Sequence, residues 1–157
     1  NLLVTQTFSK SRALAGIRIG YAFGSEKLIK YLNDVKFSFN SYTMNRLTEV
    51  VGCTCLEDKA YFEDCVQKVI ATRERTKESL KKLGFSFGDS KANFIFAKSN
   101  SISGKVIYEE LKKKGVLVRF WGKNKIEDFV RITIGTPEQM NIMFDKLEEI
   151  IREQKGD

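Results

Sequence analysis

The feature that most limits how this chain can fold is a run of helical periodicity from Asp58 to Leu83 that stops at a glycine. Tyr61, Phe62, Cys65, Val66, Val69 and Ile70, then Leu80 and Leu83, recur at spacings of three and four, the mark of one buried helical stripe. Asp58 suits the N-cap, and Gly84 suits the left-handed position that ends many helices. The middle of the run is densely charged, with Glu74–Glu78 and Lys77–Lys81 spaced to share one solvated face. Beyond Gly84 the apolar period changes from that of a helix to that of strands. The chain therefore reads as residues 1–57, a linking helix over 58–83, and a second subdomain over 84–157.

Before the long helix, Asn1 to Gln6 reads as a strand and Arg18 to Phe23 as a second one closed by Gly24. Ser25 caps a helix with Leu28, Ile29, Leu32 and Val35 on its inner stripe, and Asn40 or Ser41 caps another through Met44, Leu47 and Val50. After it come a buried strand (Asn93 to Ala97), an amphipathic helix ending at Gly115, and strands over Val116 to Trp121 and Phe129 to Ile134. Thr136-Pro137 opens the last helix, Thr136 as N-cap and Pro137 in the first turn. This second half is a β-α-β-β-α unit, an α+β sheet covered by helices.

Composition removes several classes of function. The 157 residues include no histidine, which excludes a Ser-His-Asp triad or a Cys-His pair within the chain. With no histidine, a zinc site on Cys53, Cys55 and Cys65 would need a carboxylate or a second chain, so they read as small apolar fillers in a reducing, cytoplasmic compartment. No apolar run approaches the ~20 residues that span a bilayer, so no membrane partner is expected. The net charge of +7 admits anionic partners, but lysines such as Lys112-Lys113-Lys114 fall on polar helix faces. No basic stripe interleaved with aromatics is present, which argues against nucleic acid. A basic binding module with a structural Lys10 is the reading from another class, and a steep salt dependence of nucleic-acid affinity would mark it. The chain lacks an initiating Met and opens inside an apolar strand, as a piece of a longer polypeptide would.

Chemistry concentrates at Thr7-Phe8-Ser9-Lys10 and the following Leu14-Ala15-Gly16-Ile17-Arg18-Ile19-Gly20-Tyr21. A strand feeds a hydroxyl-rich turn that presents Lys10, Gly16 tightens the loop, and a second strand opens on Arg18. A lysine becomes a nucleophile toward carbonyl cofactors when burial and nearby cations lower its ordinary pKa of ~10.4. Arg18 supplies such a cation and can grip a phosphate with two parallel hydrogen bonds. Arg119 and Arg131 each interrupt an apolar strand, where an unpaired guanidinium is costly to bury. They read as an anion site, the alternative being pairing with Glu127 or Asp128, or exposure to solvent. Gly16, Gly20 and Gly24 read as points of close backbone approach, and Trp121 as packing or part of a lid near Arg119.

The Thr7–Tyr21 stretch resembles the cofactor-lysine segment of fold-type I aminotransferases of class I/II, most of all the histidinol-phosphate aminotransferase branch. Gly115-Val116-Leu117-Val118-Arg119 and Val130-Arg131-Ile132-Thr133-Ile134-Gly135-Thr136-Pro137-Glu138 extend the match along the chain. The resemblance implies an α/β and α+β fold. Residues 1–57 would end the large domain that binds pyridoxal 5′-phosphate, and 84–157 would form the small C-terminal domain. It implies Lys10 as the catalytic residue bearing the cofactor as a Schiff base, with Thr7, Ser9 and Arg18 on its phosphate. Arg131 would take the amino-acid carboxylate and Arg119 the substrate's phosphate. The implied reaction is L-histidinol phosphate with 2-oxoglutarate giving imidazole-acetol phosphate and L-glutamate, in a cytoplasmic homodimer of histidine biosynthesis. The family's other cofactor contacts lie upstream of its lysine, so this chain alone is expected to be an inactive C-terminal fragment. Threonine-phosphate decarboxylases and aromatic aminotransferases share the lysine segment and remain alternatives.

Overall fold

In the computed structural model, which describes residues 1–156, the chain opens with an antiparallel ribbon of β1 (Leu3–Thr7) and β2 (Gly20–Gly24). Its register runs from Leu3 opposite Gly24 to Thr7 opposite Gly20. A single helical turn, α1 (Phe8–Ser11), and a 3-10 turn (Ala15–Ile17) make the connection. Gly20 must be glycine, because a Cβ there would stand 2.7 Å from the Gln6 carbonyl oxygen. Helices α2 (Glu26–Phe39), α3 (Arg46–Glu57) and α4 (Lys59–Lys82) follow. Asn45, not Asn40 or Ser41, caps α3, its Oδ1 accepting from the Thr48 N–H at 2.9 Å. Asn40 is committed elsewhere: it ends α2, and its side chain accepts from the Tyr42 N–H in the next turn.

The chain divides into two units, Asn1–Val66 and Gln67–Asp157, the boundary falling within α4. The second holds β3 (Phe85–Phe87), β4 (Phe94–Ser99), α5 (Gly104–Lys113), β5 (Arg119–Phe120), β6 (Phe129–Thr133) and α6 (Pro137–Lys155). The strands form one antiparallel sheet in the order β3-β4-β6-β5. Two departures from expectation are local. Phe85–Phe87 adds an edge strand, and the Val116–Trp121 strand shrinks to two residues. At β5 only Arg119 and Phe120 find partners on β6, while the Val116 N–H turns back to the Leu111 carbonyl. Gly84 (φ 76°) adopts the left-handed conformation expected of it.

Alternation along the central strands gives the sheet two unlike faces. Ile95, Ala97, Val130 and Ile132 are all but fully buried and pack against Ile107 and Leu111 of α5, Met143, Leu147 and Ile150 of α6, and Leu80 of α4. The opposite face carries Phe94, Phe96, Phe129 and Arg131, each half-buried. The helices cover one face and leave the other half-buried.

The charged middle of α4 is solvated at Glu74, Glu78 and Lys81, as its spacing suggests, but not at Lys77. Thr72, Arg73, Thr76 and Lys77 are buried, continuing the Leu80 stripe with the aliphatic parts of their side chains. Their charged ends are paired. Lys77 Nζ reaches Glu74 at 3.1 Å and Asp89 at 2.8 Å, and Arg73 bonds Glu74 at 2.9 Å and the Ala92 carbonyl at 3.3 Å. Asp89, held by Lys77 and then by Lys91, has its carboxyl pushed down to about 2 from 3.8, while its bond raises the Lys77 amine despite desolvation.

Replacing Ile95 with Ala is expected to cost about 2–5 kcal/mol through lost burial and the cavity left behind, read from the urea midpoint of unfolding. Because the folded pKa of Asp89 is depressed, its stabilisation is present above 3.8 and lost as pH falls toward 2. Asp89→Asn should therefore lower the melting temperature at pH 5 and match the parent chain near pH 2, by thermal denaturation across that range.

Candidate active site

Lys10 stands on the one-turn helix α1 and is exposed. Thr7 caps that turn: its Oγ1 accepts from the Ser9 N–H at 3.1 Å, and its hydroxyl donates to Ser9 Oγ at 2.7 Å. The Ser9 hydroxyl proton is thereby left for an outside acceptor. The Phe8 N–H donates to the Ile19 carbonyl at 3.1 Å, extending the β1–β2 register by one rung and drawing Phe8 next to the Arg18–Ile19 segment. Thr7, Ser9, Lys10 and Arg18 thus belong to one closed connection of the ribbon.

Arg18 does not open a strand. It sits in the left-handed region at φ 59°, its Nη1 donating to the Ala15 carbonyl at 3.0 Å, with the guanidinium exposed. A non-glycine residue there is strained by about 1–2 kcal/mol, a cost typical of sites where orientation matters more than packing. Gly16, expected to tighten this loop, has no positive φ and open space around it. Ala13 (φ 55°) and Arg18 make the tight turns instead.

Sequence reading passed over Arg12. Its Nη1 donates to the Cys55 carbonyl at 2.8 Å and its Cζ lies 3.5 Å from the centroid of Phe62, pinning the turn that carries Lys10. The signal was present as a second cation two residues from Lys10, though only its partners distinguish an anchor from a ligand. A cavity of about 500 Å³ lies on the Arg12 side, lined by Leu14, Val51, Thr54, Asp58 and Phe62 among others, and Lys10 is not part of it.

In the second unit Arg119 of β5 stands directly opposite Arg131 of β6. Arg119 is exposed; Arg131 is half-buried, its Nε shielded from solvent and without a hydrogen-bond partner. Among the described residues neither arginine forms an ion pair, with Glu127, Asp128 or any other carboxylate. Aromatic rings surround them instead. Trp121 lies 5.3 Å from Arg119 Cζ and 5.4 Å from Arg131 Cζ, and Phe94 lies 5.3 Å from Arg131 Cζ on another side. Phe94 was not foreseen, although its alternation with Ile95 would have placed it on the arginine face.

Two cations opposite each other, one with an orphaned donor, leave a place for an anion with several oxygens. The first unit thus presents a lysine and hydroxyls on one turn, and the second presents two opposed guanidiniums on one sheet. The chain belongs to the class I and II aminotransferase family, whose profile matches residues 1–147. It is similar to histidinol-phosphate aminotransferase of Brachyspira hyodysenteriae, 53% identical over 152 residues that are 97% of this chain and 43% of that protein. Its fold matches the crystal structure of histidinol-phosphate aminotransferase from Clostridium acetobutylicum at a TM-score of 0.88 and 26% identity, covering 97% of this chain and 46% of the other. The Sinorhizobium meliloti enzyme, solved with pyridoxal-5′-phosphate, shares the fold at a TM-score of 0.85 and 24% identity, over 98% of this chain and 42% of its own. The chain spans less than half the length of these relatives.

Leaving Nε of Arg131 unpaired costs about 1–3 kcal/mol and opposed like charges about 0.2–1, against cation–π contacts worth about 0.5–1 each. The balance runs against the arginine. Arg131→Met is expected to raise stability by about 1 kcal/mol in urea unfolding without added anions, while abolishing anion binding.

Proposed function

We propose that the chain carries the cofactor lysine and the substrate arginines of a pyridoxal-phosphate-dependent transaminase of histidine biosynthesis. The reaction would convert L-histidinol phosphate and 2-oxoglutarate to imidazole-acetol phosphate and L-glutamate, in a cytoplasmic homodimer. The observation that carries this reading is Lys10, an exposed primary amine on a turn capped by Thr7 and flanked by Ser9 and Arg18. Residues 1–57 would belong to the large cofactor domain, 58–83 to a linking helix and 84–157 to the small domain.

The donor set fits pyridoxal phosphate. Lys10 offers an amine for the aldehyde. The Ser9 hydroxyl and the remaining N–H donors of Arg18 suit a phosphate, with Thr7 orienting Ser9. When bound, the cofactor supplies an electron sink for the substrate's Cα–H bond. Lys10 Nζ would then hold and move the substrate's Cα proton, general acid–base work by one amine. Arg119 would take the phosphate of histidinol phosphate in one half-reaction, and Arg131 the carboxylate of glutamate in the other. Their fixed donors discriminate by charge and oxygen geometry, not by the rest of the side chain.

The test is a chimera in which this chain replaces the matching 43% of the Brachyspira enzyme. It is expected to turn over histidinol phosphate and, after borohydride reduction, to carry the cofactor on the peptide containing Lys10. Lys10→Ala should reduce kcat by at least about a thousandfold, the scale expected when proton transfer and nucleophile are lost together. A label elsewhere, or full activity of Lys10→Ala, would remove the reading. Activity confined to aromatic amino donors or to decarboxylation would keep the lysine and change the substrate.

A further inference from the structure

The sheet of the second unit sets the Arg119 and Arg131 guanidiniums opposite each other, where like charges repel. Nothing acidic stands between them among the described residues. A carboxylate would quiet the repulsion, but it would also occupy the N–H donors that an incoming anion needs. An aromatic face attracts a cation without accepting its in-plane hydrogen bonds. Trp121 is placed for this, its ring 5.3 Å from one Cζ and 5.4 Å from the other. The indole is itself held: Phe96 meets it edge-on with centroids 6.1 Å apart, and Phe96 stacks on Phe129 at 4.6 Å. The ladder Phe129–Phe96–Trp121 therefore runs from β6 across β4 to the residue after β5.

We infer that Trp121 is a positioning residue for anion recognition. Its indole is a shared platform that holds the Arg119 and Arg131 guanidiniums beside each other with their donors free. The inference rests on reading the two arginines as the substrate's anion receptor, and adds that an uncharged ring sets their spacing. The buried, unpartnered Nε of Arg131 agrees with this arrangement, since that guanidinium is restrained by ring faces and not by acceptors. A truncated side chain at 121 would let the two cations swing apart into solvent, and an anion would have to reassemble them.

The test uses the 157-residue chain and inorganic phosphate as probe, with binding measured by calorimetry at low salt. Trp121→Leu is expected to weaken binding by about tenfold or more, and Trp121→Phe, which keeps a ring face, by no more than about threefold. Circular dichroism and the urea midpoint of each variant establish that it is folded. Trp121 is the chain's one tryptophan, so its emission in the unaltered protein should change saturably with the same midpoint as the calorimetric titration. That second measurement holds even if the leucine variant does not fold. Binding unchanged in Trp121→Leu but lost in Arg131→Met overturns the role of Trp121 and leaves the arginine receptor standing. Equal weakening by leucine and phenylalanine, or emission that ignores saturating phosphate, also overturns it. Absence of any saturable phosphate binding overturns both the platform and the receptor.

Discussion

Everything the second unit does depends on the antiparallel pairing of β4 with β6. Ile95 opposite Ile132 and Ala97 opposite Val130 turn one face of the pair toward three helices, where burial of apolar surface stabilises the unit. The same register turns Phe94, Phe96, Phe129 and Arg131 the other way. A one-residue slip would bury Arg131 in the core and expose Ile132, so the hydrophobic face also fixes which way Arg131 points. β5 then needs only two paired residues to deliver Arg119 opposite Arg131. The precision of the arginine pair comes from the core.

Helix α4 shows why charge spacing alone misleads. Glu74, Glu78 and Lys81 are exposed as their spacing suggests, yet Lys77 is buried along with Arg73 and Thr76. Such burial is tolerable because each cation has its acceptor: Glu74 for both, Asp89 for Lys77, and the Ala92 carbonyl for Arg73. Glu74 is on the helix itself, but Asp89 and the Ala92 carbonyl arrive from the β3–β4 connection, which no periodicity within the helix could announce. In return the network ties that connection down just before Asn93, whose carbonyl accepts from the Ile134 N–H at 2.9 Å. The ion pairs thus border the strand ends that hold Phe94 in place under Arg131.

Much of this was legible in the chain. The long helix to Gly84, the amphipathic helix to Gly115, the Thr136-Pro137 start and the paired core strands are all local patterns, and the structure carries them out. The lysine turn and both strand arginines stood out in the chain, because hydroxyls beside an amine and guanidiniums in apolar strands are unusual placements. What was not legible depends on partners distant in sequence. Asn45 displaced Asn40 as a cap because Asn40 had a nearer donor to satisfy. Val116–Val118 read as strand on β-propensity but found no neighbour to pair with. Gly16 looked like the tight point of the loop, whereas Ala13 and Arg18 carry the positive φ angles. Trp121 read as packing or part of a lid near Arg119; that its ring lies near both arginines depends on Arg131, distant in sequence.

The turn that bears Lys10 solves a different problem from the sheet that bears the arginines. Lys10 is exposed, so its side chain is not fixed by being packed. Phe8, two residues earlier, is the buried hydrophobic side chain of the turn, set edge-on against Tyr21 at 5.5 Å. Arg12, two residues later, is clamped between the Cys55 carbonyl and the Phe62 ring. Between these anchors the backbone is closed by the Arg12 and Leu14 N–H groups on the Phe8 carbonyl and by the Ala13 N–H on that of Lys10. The main chain of Lys10 is therefore held on both sides while its side chain keeps its freedom. Strain at Ala13 and Arg18 is the corollary: a loop this short returns to β2 only by taking two residues through the left-handed region. Position is built into the backbone, and mobility is left to the four methylenes that carry the amine.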